Sequence, residues 1–175
     1  MKKITALLLS LVLAALLLSS CGGKDSAAPM GFKEISDDAL TYDLFIPDEW
    51  TADLSTGVTA AYYSGQDPSN ISMIAFELDG SITGLEDYWA KYEPTLKAIL
   101  PDLEYVDQSA VTLDGTDAMQ YIYTGTMSDV RYKFMQLVAI RNNRVYIFTY
   151  TAYAAKYDEH IEDVLAILDY FCFTE

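Results

Sequence analysis

Arg131-Tyr132-Lys133-Phe134-Met135-Gln136-Leu137-Val138-Ala139-Ile140 and, two asparagines later, Val145-Tyr146-Ile147-Phe148-Thr149-Tyr150-Thr151-Ala152 are the runs that decide the fold. Successive side chains of a strand point to opposite faces. In the first run Tyr132, Phe134, Val138 and Ile140 share one side, while Met135, Leu137 and Ala139 share the other. Neither side is mainly polar, and the return run is largely apolar on both sides too. Such strands belong at the centre of a sheet covered on both faces. Asn142-Asn143 between them predicts a tight hairpin, because asparagine tolerates positive φ better than other non-glycine residues.

Working outward, Ala118 to Met127 reads as a partner strand, with Met119, Tyr121 and Tyr123 on one side, and Glu104 to Leu113 as one or two more before the Asp114-Gly115 turn. Leu85, Tyr88, Trp89, Tyr92, Leu96, Ile99 and Leu100 fall on one helical face. Thr83 with Glu86 has the form of a capping box. Pro94 lies inside this pattern and predicts a kink near Ala90 or two short helices, since an interior proline costs about 3 kcal/mol. Upstream, strands are expected over Tyr42 to Ile46, Thr56 to Ser64 and Ile71 to Leu78, broken by Pro47-Asp48-Glu49 and by Gly65-Gln66-Asp67-Pro68-Ser69-Asn70. A last helix is expected from about Ala154 to Phe171, with Tyr157, Ile161, Val164, Leu165, Leu168 and Phe171 inward.

The start of the chain has a different character. Lys2 and Lys3 precede about fifteen mostly apolar residues from Ile4 to Leu18, which is the length of a signal-peptide core and short of the roughly 20 residues a membrane span needs. Leu18-Ser19-Ser20-Cys21 then resembles the bacterial lipobox, in which small residues before a cysteine suit a diacylglyceryl transferase and a lipoprotein peptidase. Residues 1–20 are therefore expected to be a removed signal, residues 21–31 a lipidated Cys21 with a flexible tether, and residues 32–175 one domain. Cys172 is expected to be buried and inert between Phe171 and Phe173, with no internal disulfide.

Loss of Lys2 and Lys3 with the leader leaves 9 of the 11 basic side chains against 26 acidic ones, a formal charge of −17. A field of that sign repels nucleic acid and anionic lipid head groups, so nucleic acid is excluded as a partner and the domain should stand off the bilayer.

Catalytic patterns are lacking. His160, within Asp158-Glu159-His160-Ile161-Glu162, reads as a solvated helix residue, and one histidine does not make a zinc site of the usual composition. Asp37-Asp38, Glu86-Asp87 and Asp114 with Asp117 do not have the spacing of a calcium loop. No serine sits in a nucleophile elbow. Catalytic residues, metal ligands and cofactors are accordingly expected to be none. The one compositional excess is tyrosine, 14 in number, including Tyr62-Tyr63, Tyr121, Tyr123, Tyr146, Tyr150, Tyr153 and Tyr157; most should be core, with an aromatic binding patch as the alternative.

Two stretches together, Tyr42-Asp43-Leu44-Phe45-Ile46-Pro47-Asp48-Glu49-Trp50 and Asn143-Arg144-Val145-Tyr146-Ile147-Phe148-Thr149-Tyr150-Thr151-Ala152, resemble the PsbP-like superfamily. The resemblance implies an α/β (α+β) fold: an α/β/α sandwich with a central, mainly antiparallel sheet and helices on both faces. It implies a binding or assembly role rather than an enzyme, and no metal site is carried over, because histidines take part where such sites are claimed and this chain has only His160. The expected function is that of a lipid-anchored, extracytoplasmic, non-catalytic module meeting a protein partner at the membrane; a small-solute or divalent-ion binder serving a transporter or sensor is the alternative. Mass spectrometry of the Cys21→Ala variant should show no acylated form; an acylated peptide from that variant overturns the lipobox reading.

Overall fold

The computed structural model of the chain describes residues 27–37, 39–55 and 58–174. The apolar leader and Cys21 lie outside the described residues. Eleven strands and two α-helices follow in the order β1 (Phe32–Glu34), β2 (Tyr42–Asp43), β3 (Phe45–Pro47), β4 (Thr51–Asp53), β5 (Thr59–Tyr62), β6 (Asn70–Glu77), α1 (Leu85–Ile99), β7 (Glu104–Leu113), β8 (Thr116–Met127), β9 (Val130–Arg141), β10 (Arg144–Tyr153), α2 (Ile161–Tyr170) and β11 (Cys172–Phe173), with a 3-10 turn at Tyr157–Glu159. Seven strands form one sheet in the order β4-β5-β6-β10-β9-β8-β7, with every neighbouring pair antiparallel. β1 pairs with β3, and β11 with β2, as two small ribbons. The protein is thus a mostly antiparallel, strand-rich fold with two helices.

The long strands are joined by two-residue turns whose chemistry fixes their register. Asp114-Gly115, Ser128-Asp129 and Asn142-Asn143 all take positive φ at both positions. That is the demand of the turn that matches the right-handed twist of a hairpin, and it selects asparagine, aspartate and glycine. β7 carries a register shift between Tyr105 and Asp107 but continues as one strand.

The expected doubly buried strands are found, and they divide two apolar clusters between them. From β10, Tyr146, Phe148 and Tyr150 enter one cluster together with Leu44, Ile46 and Trp50 and with Val164 and Ile167 of α2. Val145 and Ile147 enter the other, with Tyr88, Trp89 and Leu96 of α1 and Tyr121 and Tyr123 of β8. β9 alternates in the same way, Met135, Leu137 and Ala139 against Phe134 and Val138.

The helices depart from expectation in instructive places. α1 is one element with Pro94 inside it, and its N-cap is Gly84, not a capping-box threonine; Thr83 bonds the carboxylate of Asp87 instead. Trp89 stacks on Tyr121 with ring centroids 3.5 Å apart and planes 7° apart, and such packing offsets the backbone bond that proline removes. Ile99, placed inward by its spacing, is 62% exposed at the helix end. α2 starts seven residues later than expected because the 3-10 turn intervenes and shifts the phase: Ile167 is fully buried, while Leu165 is 47% exposed. Gly125 of β8 faces Leu100, where a Cβ would lie 3.1 Å from the leucine side chain. Cys172 is buried as expected but is disulfide-bonded, which corrects the expectation that no disulfide forms.

Phe148 is fully buried in the first cluster, so Phe148→Ala should cost about 3–5 kcal/mol in urea-melt stability. A loss under about 1 kcal/mol would mean that this face of β10 is not a packed core.

Candidate functional site

Two places gather functional chemistry: a buried ionisable cluster at one end of the sheet, and an aromatic cleft beside α1. The cluster is built by the loop between β5 and β6 meeting the start of α2. Within the loop, Asp67 Oδ1 accepts from the backbone N–H of Ser69 at 3.1 Å and from its hydroxyl at 2.7 Å, the local bonding that makes aspartate a turn residue. That arrangement turns Oδ2 inward, where Lys156 Nζ lies at 2.9 Å and His160 Nε2 at 3.3 Å. His160 itself is packed on the ring of Tyr63, 4.0 Å between centroids, and edge-on to Trp50 at 5.9 Å. Its Nδ1 faces Asp163 Oδ2 at 3.9 Å, and the same carboxylate accepts from Trp50 Nε1 at 3.1 Å.

Asp67 and His160 are therefore both buried, and the expectation of a solvated His160 is corrected. The reason is the 3-10 turn, which makes His160 the N-cap of α2 and rotates it onto Tyr63 and Trp50. Burial works to raise the pKa of Asp67, but the bonds from Ser69, Lys156 and His160 outweigh it and hold the carboxyl well below the usual carboxylate range. Lys156 is correspondingly held above its ordinary value by Asp67.

This geometry can hold charge but is not arranged for nucleophilic catalysis. The carboxylate of Asp67 sits between Ser69 and His160, so the histidine is not aimed at the hydroxyl it would have to activate. Asp67, Glu159 and His160 do bring ligand atoms within 4.8 Å of one another, a set of the kind that holds a divalent cation. Lys156 Nζ, however, lies 2.9 Å from Asp67 and 3.5 Å from Glu159 and already supplies a positive charge there. Sequence spacing gave no signal for this meeting, because Asp67 and His160 are 93 positions apart. Of the acidic pairs named from the sequence, Glu86-Asp87 and Asp114 with Asp117 remain apart from it; Asp87 binds Thr83 and Asp114 accepts from the Phe173 N–H. Asp37 binds the Ala39 N–H, and Asp38 lies outside the described residues.

The cleft is the second place. β6 pairs with β10 so that Ile74 stands opposite Ile147 and Phe76 opposite Val145. These two therefore share the face on which α1 lies, yet they are 41% and 42% exposed, although the Phe76 ring meets Tyr88 of α1 at 6.5 Å between centroids. Between them lies a cleft of about 310 Å³ walled by Phe76, Leu78, Ile82, Tyr88, Tyr92 and Thr95. The Tyr88 and Tyr92 rings stack, 5.9 Å apart and 14° from parallel. Burial, with the neighbouring Tyr92, pushes the Tyr88 hydroxyl up to about 12, so it stays a proton donor at any physiological pH. An ion pair between Lys91 and Asp79 borders the opening. Among the tyrosines singled out from the sequence, Tyr121, Tyr123, Tyr146, Tyr150 and Tyr157 are core. The pair that walls the cleft had been read as the inward face of the helix.

Residues 43–170 match the family model described as DcrB. The chain belongs to the DcrB family. The matched span runs from the last residue of β2 to the end of α2, so both cluster and cleft lie within the DcrB region. No curated protein matches the chain. Among solved structures, this DcrB chain is similar to the cyanobacterial PsbP, CyanoP, of Synechocystis sp. PCC 6803, at 19% identity and a TM-score of 0.62 over 89% of this chain and 98% of that one. It is also similar to LpqN of Mycobacterium tuberculosis, described as involved in cell envelope biogenesis, at 20% identity and a TM-score of 0.60 over 82% and 91% of the two chains. At these identities the likeness is one of fold, and it makes this DcrB member PsbP-like in architecture.

Replacing Asp67 removes the acceptor for Ser69, Lys156 and His160. Asp67→Asn should cost about 1–3 kcal/mol at neutral pH. Because the folded-state pKa is depressed, the stabilisation is present above the unfolded value near 3.8 and is lost as pH falls through the lower folded value. Urea melts of wild type and variant should therefore converge below pH 4; a gap that stays constant down to pH 2 contradicts the assignment.

Proposed function

We propose that this DcrB member is a non-catalytic binding or assembly module, held on the extracytoplasmic side of the cell membrane by a lipid on Cys21. It faces the outer leaflet in a one-membrane cell or the periplasm in a two-membrane cell. The observation that carries the binding role is the aromatic cleft with its partly exposed Phe76. Such a surface, concave and largely apolar with a few polar groups at its rim, suits a protein segment docking through its own apolar side chains. The tie of LpqN to cell envelope biogenesis supports the location. So does the fact that no helix among the described residues is long and apolar enough to cross a membrane. We read the two apolar clusters, one holding α2 and one holding α1, as the α/β/α sandwich of the PsbP-like proteins, one helix on each face. The chain has two cysteines, so the lipidated form proposed here is one in which Cys172 is a buried thiol and its disulfide does not form.

The ionisable cluster supports a second reading, a divalent-ion or small-solute binder, through the convergence of Asp67, Glu159 and His160. Thermal shift of the full chain against metal ions separates the two. A cation present at 100 times its dissociation constant adds about 2.7 kcal/mol of stability, and a gain of that size with a single ion favours this second reading.

The docking role is tested with a photo-crosslinking residue at Thr95 on the cleft wall and, as control, at Glu162 on α2. The Thr95 position should yield one specific adduct at the membrane, weakened about tenfold by Phe76→Ala with Tyr92→Ala. Equal labelling from both positions, or indifference to the cleft variants, counts against the cleft as the binding surface.

A further inference from the structure

β4 and β7 are the two edges of the seven-stranded sheet. β4 is 3 residues long, whereas β7 runs for 10 and pairs with β8 alone. The hairpin between β7 and β8 shows which backbone groups of β7 are left over. Its two-residue turn, Asp114-Gly115, is closed by Leu113 and Thr116, and the residues that close such a turn bond each other. Bonded and non-bonded positions alternate along an antiparallel pair. Leu113, Val111 and Ser109 therefore direct N–H and C=O at β8, while Thr112, Ala110 and Gln108 direct theirs outward. The far side of β8 agrees: Met127 and Val130 close the Ser128-Asp129 turn, so the odd-numbered residues of β8 bond β9 and the even-numbered ones are left for β7. Among the described residues no group meets the outward N–H or C=O of Gln108, Ala110 or Thr112, and all three residues are exposed.

An open edge is a template for further pairing, and folds that avoid this place lysine, proline or a bulge along it. β7 contains neither lysine nor proline, and its register shift lies between Tyr105 and Asp107, upstream of the three outward positions. The charge at this edge is of one sign. β7 and β8 carry Glu104, Asp107 and Asp117 and no lysine or arginine. Glu104 is paired with Arg131 of β9. Asp107 and Asp117 are exposed, and the one hydrogen bond either makes among the described residues is from the Ser109 hydroxyl to Asp107 at 3.0 Å. Beside them Val111 packs against the cluster that Leu113 enters. The edge thus offers main-chain bonds, a partly buried apolar side chain and uncompensated negative charge.

We propose that β7 accepts an extended, basic peptide segment of a partner protein as a further strand of the sheet. Gln108, Ala110 and Thr112 supply the main-chain bonds, an apolar side chain of the guest lies beside Val111, and a lysine or arginine lies beside Asp107. Strand addition of this kind takes its affinity from the backbone and its selectivity from alternate side chains. Opposite charges facing across strands are favourable and like charges unfavourable, so Asp107 bars an acidic strand and admits a basic one. The same rule disfavours a second copy of this chain, whose formal charge of −15 repels another. The proposal does not rest on the docking role of the cleft, which uses other residues.

The probe is the peptide acetyl-Lys-Thr-Thr-Thr-Val-Thr-Thr-Thr-Lys-amide, in which lysine and valine have the spacing of Asp107 and Val111 in either chain direction. Amide exchange of the full chain in detergent, followed by NMR, reads the edge directly. Without peptide the N–H groups of Gln108, Ala110 and Thr112 should exchange faster than those of Ser109, Val111 and Leu113, and saturating peptide should slow the first three at least about tenfold. The same peptide with glutamate for lysine should bind at least about fivefold more weakly. Ala110→Pro removes one outward N–H and no bond to β8, a change that edge strands tolerate; it should abolish binding while thermal unfolding stays as in the wild type. If that variant does not fold, N-methylated peptides decide on the wild-type chain: methylation of one alternate set of amides should abolish binding, and methylation of the other set should leave it. Equal binding of the lysine and glutamate peptides, or no protection of the three amides, overturns the proposal. So does protection of those amides in a dimer without peptide, because the occupant is then a second copy.

Discussion

The pairing of β9 with β10 is the constraint on which the rest of the structure depends. The two strands run in register from Arg141 opposite Arg144 to Tyr132 opposite Tyr153, and both present large apolar side chains on both faces. A slip of one residue would exchange the two faces. It would not expose polar residues to a core, as in a one-sided sheet, but would set Phe148 and Tyr150 against α1 and Val145 and Ile147 against α2, with the wrong volumes in each cluster. The two left-handed residues Asn142 and Asn143 prevent this by fixing the turn. Once the register is set, each apolar cluster takes in one helix: α1, inserted between β6 and β7, joins the cluster of Val145 and Ile147, and α2 joins that of Phe148 and Tyr150.

Strand periodicity and turn chemistry are local, which is why the long strands and their hairpins were legible in the sequence. The two-faced alternation of Arg131 to Ile140 and of Val145 to Ala152 holds residue by residue. What the sequence hid depends on contacts between distant segments. β1, β4 and β11 are two or three residues long, too short for an alternating pattern to register. His160 lay in an acidic run and looked solvated; only the 3-10 turn before α2 shows that it faces Tyr63 and Trp50. Tyr88 and Tyr92 were correctly placed on the inner face of α1, but the sequence carried no sign that the sheet beneath them would be left partly open.

Charge is handled unevenly across the molecule. Three ion pairs, Lys156 with Asp67 and Arg131 with Asp102 and with Glu104, join segments distant in the chain. The first is the more consequential, because Asp67 is buried and its partner reaches it from beyond β10. A surface pair such as Lys91 with Asp79, both side chains more than half exposed, is screened by solvent and contributes little.

The open part of the sheet can be judged by what neighbouring positions tolerate. Strands lie about 4.8 Å apart and a helix is about 10 Å wide, so one helix covers little more than two or three strands. A seven-stranded sheet with one helix on that face must leave part of it open. On β6 the same face carries Asn70 and Ser72 opposite Thr151 and Thr149, then changes to Ile74 and Phe76 opposite Ile147 and Val145. Ser72 puts a half-buried polar side chain on that face. Burial does not select Ile74 and Phe76, since both are about two-fifths exposed, and strand propensity alone would be met equally by threonine. Next to two stacked tyrosines and a cleft, this pair leaves an apolar patch partly open to solvent on the face of α1, away from the charged cluster at α2.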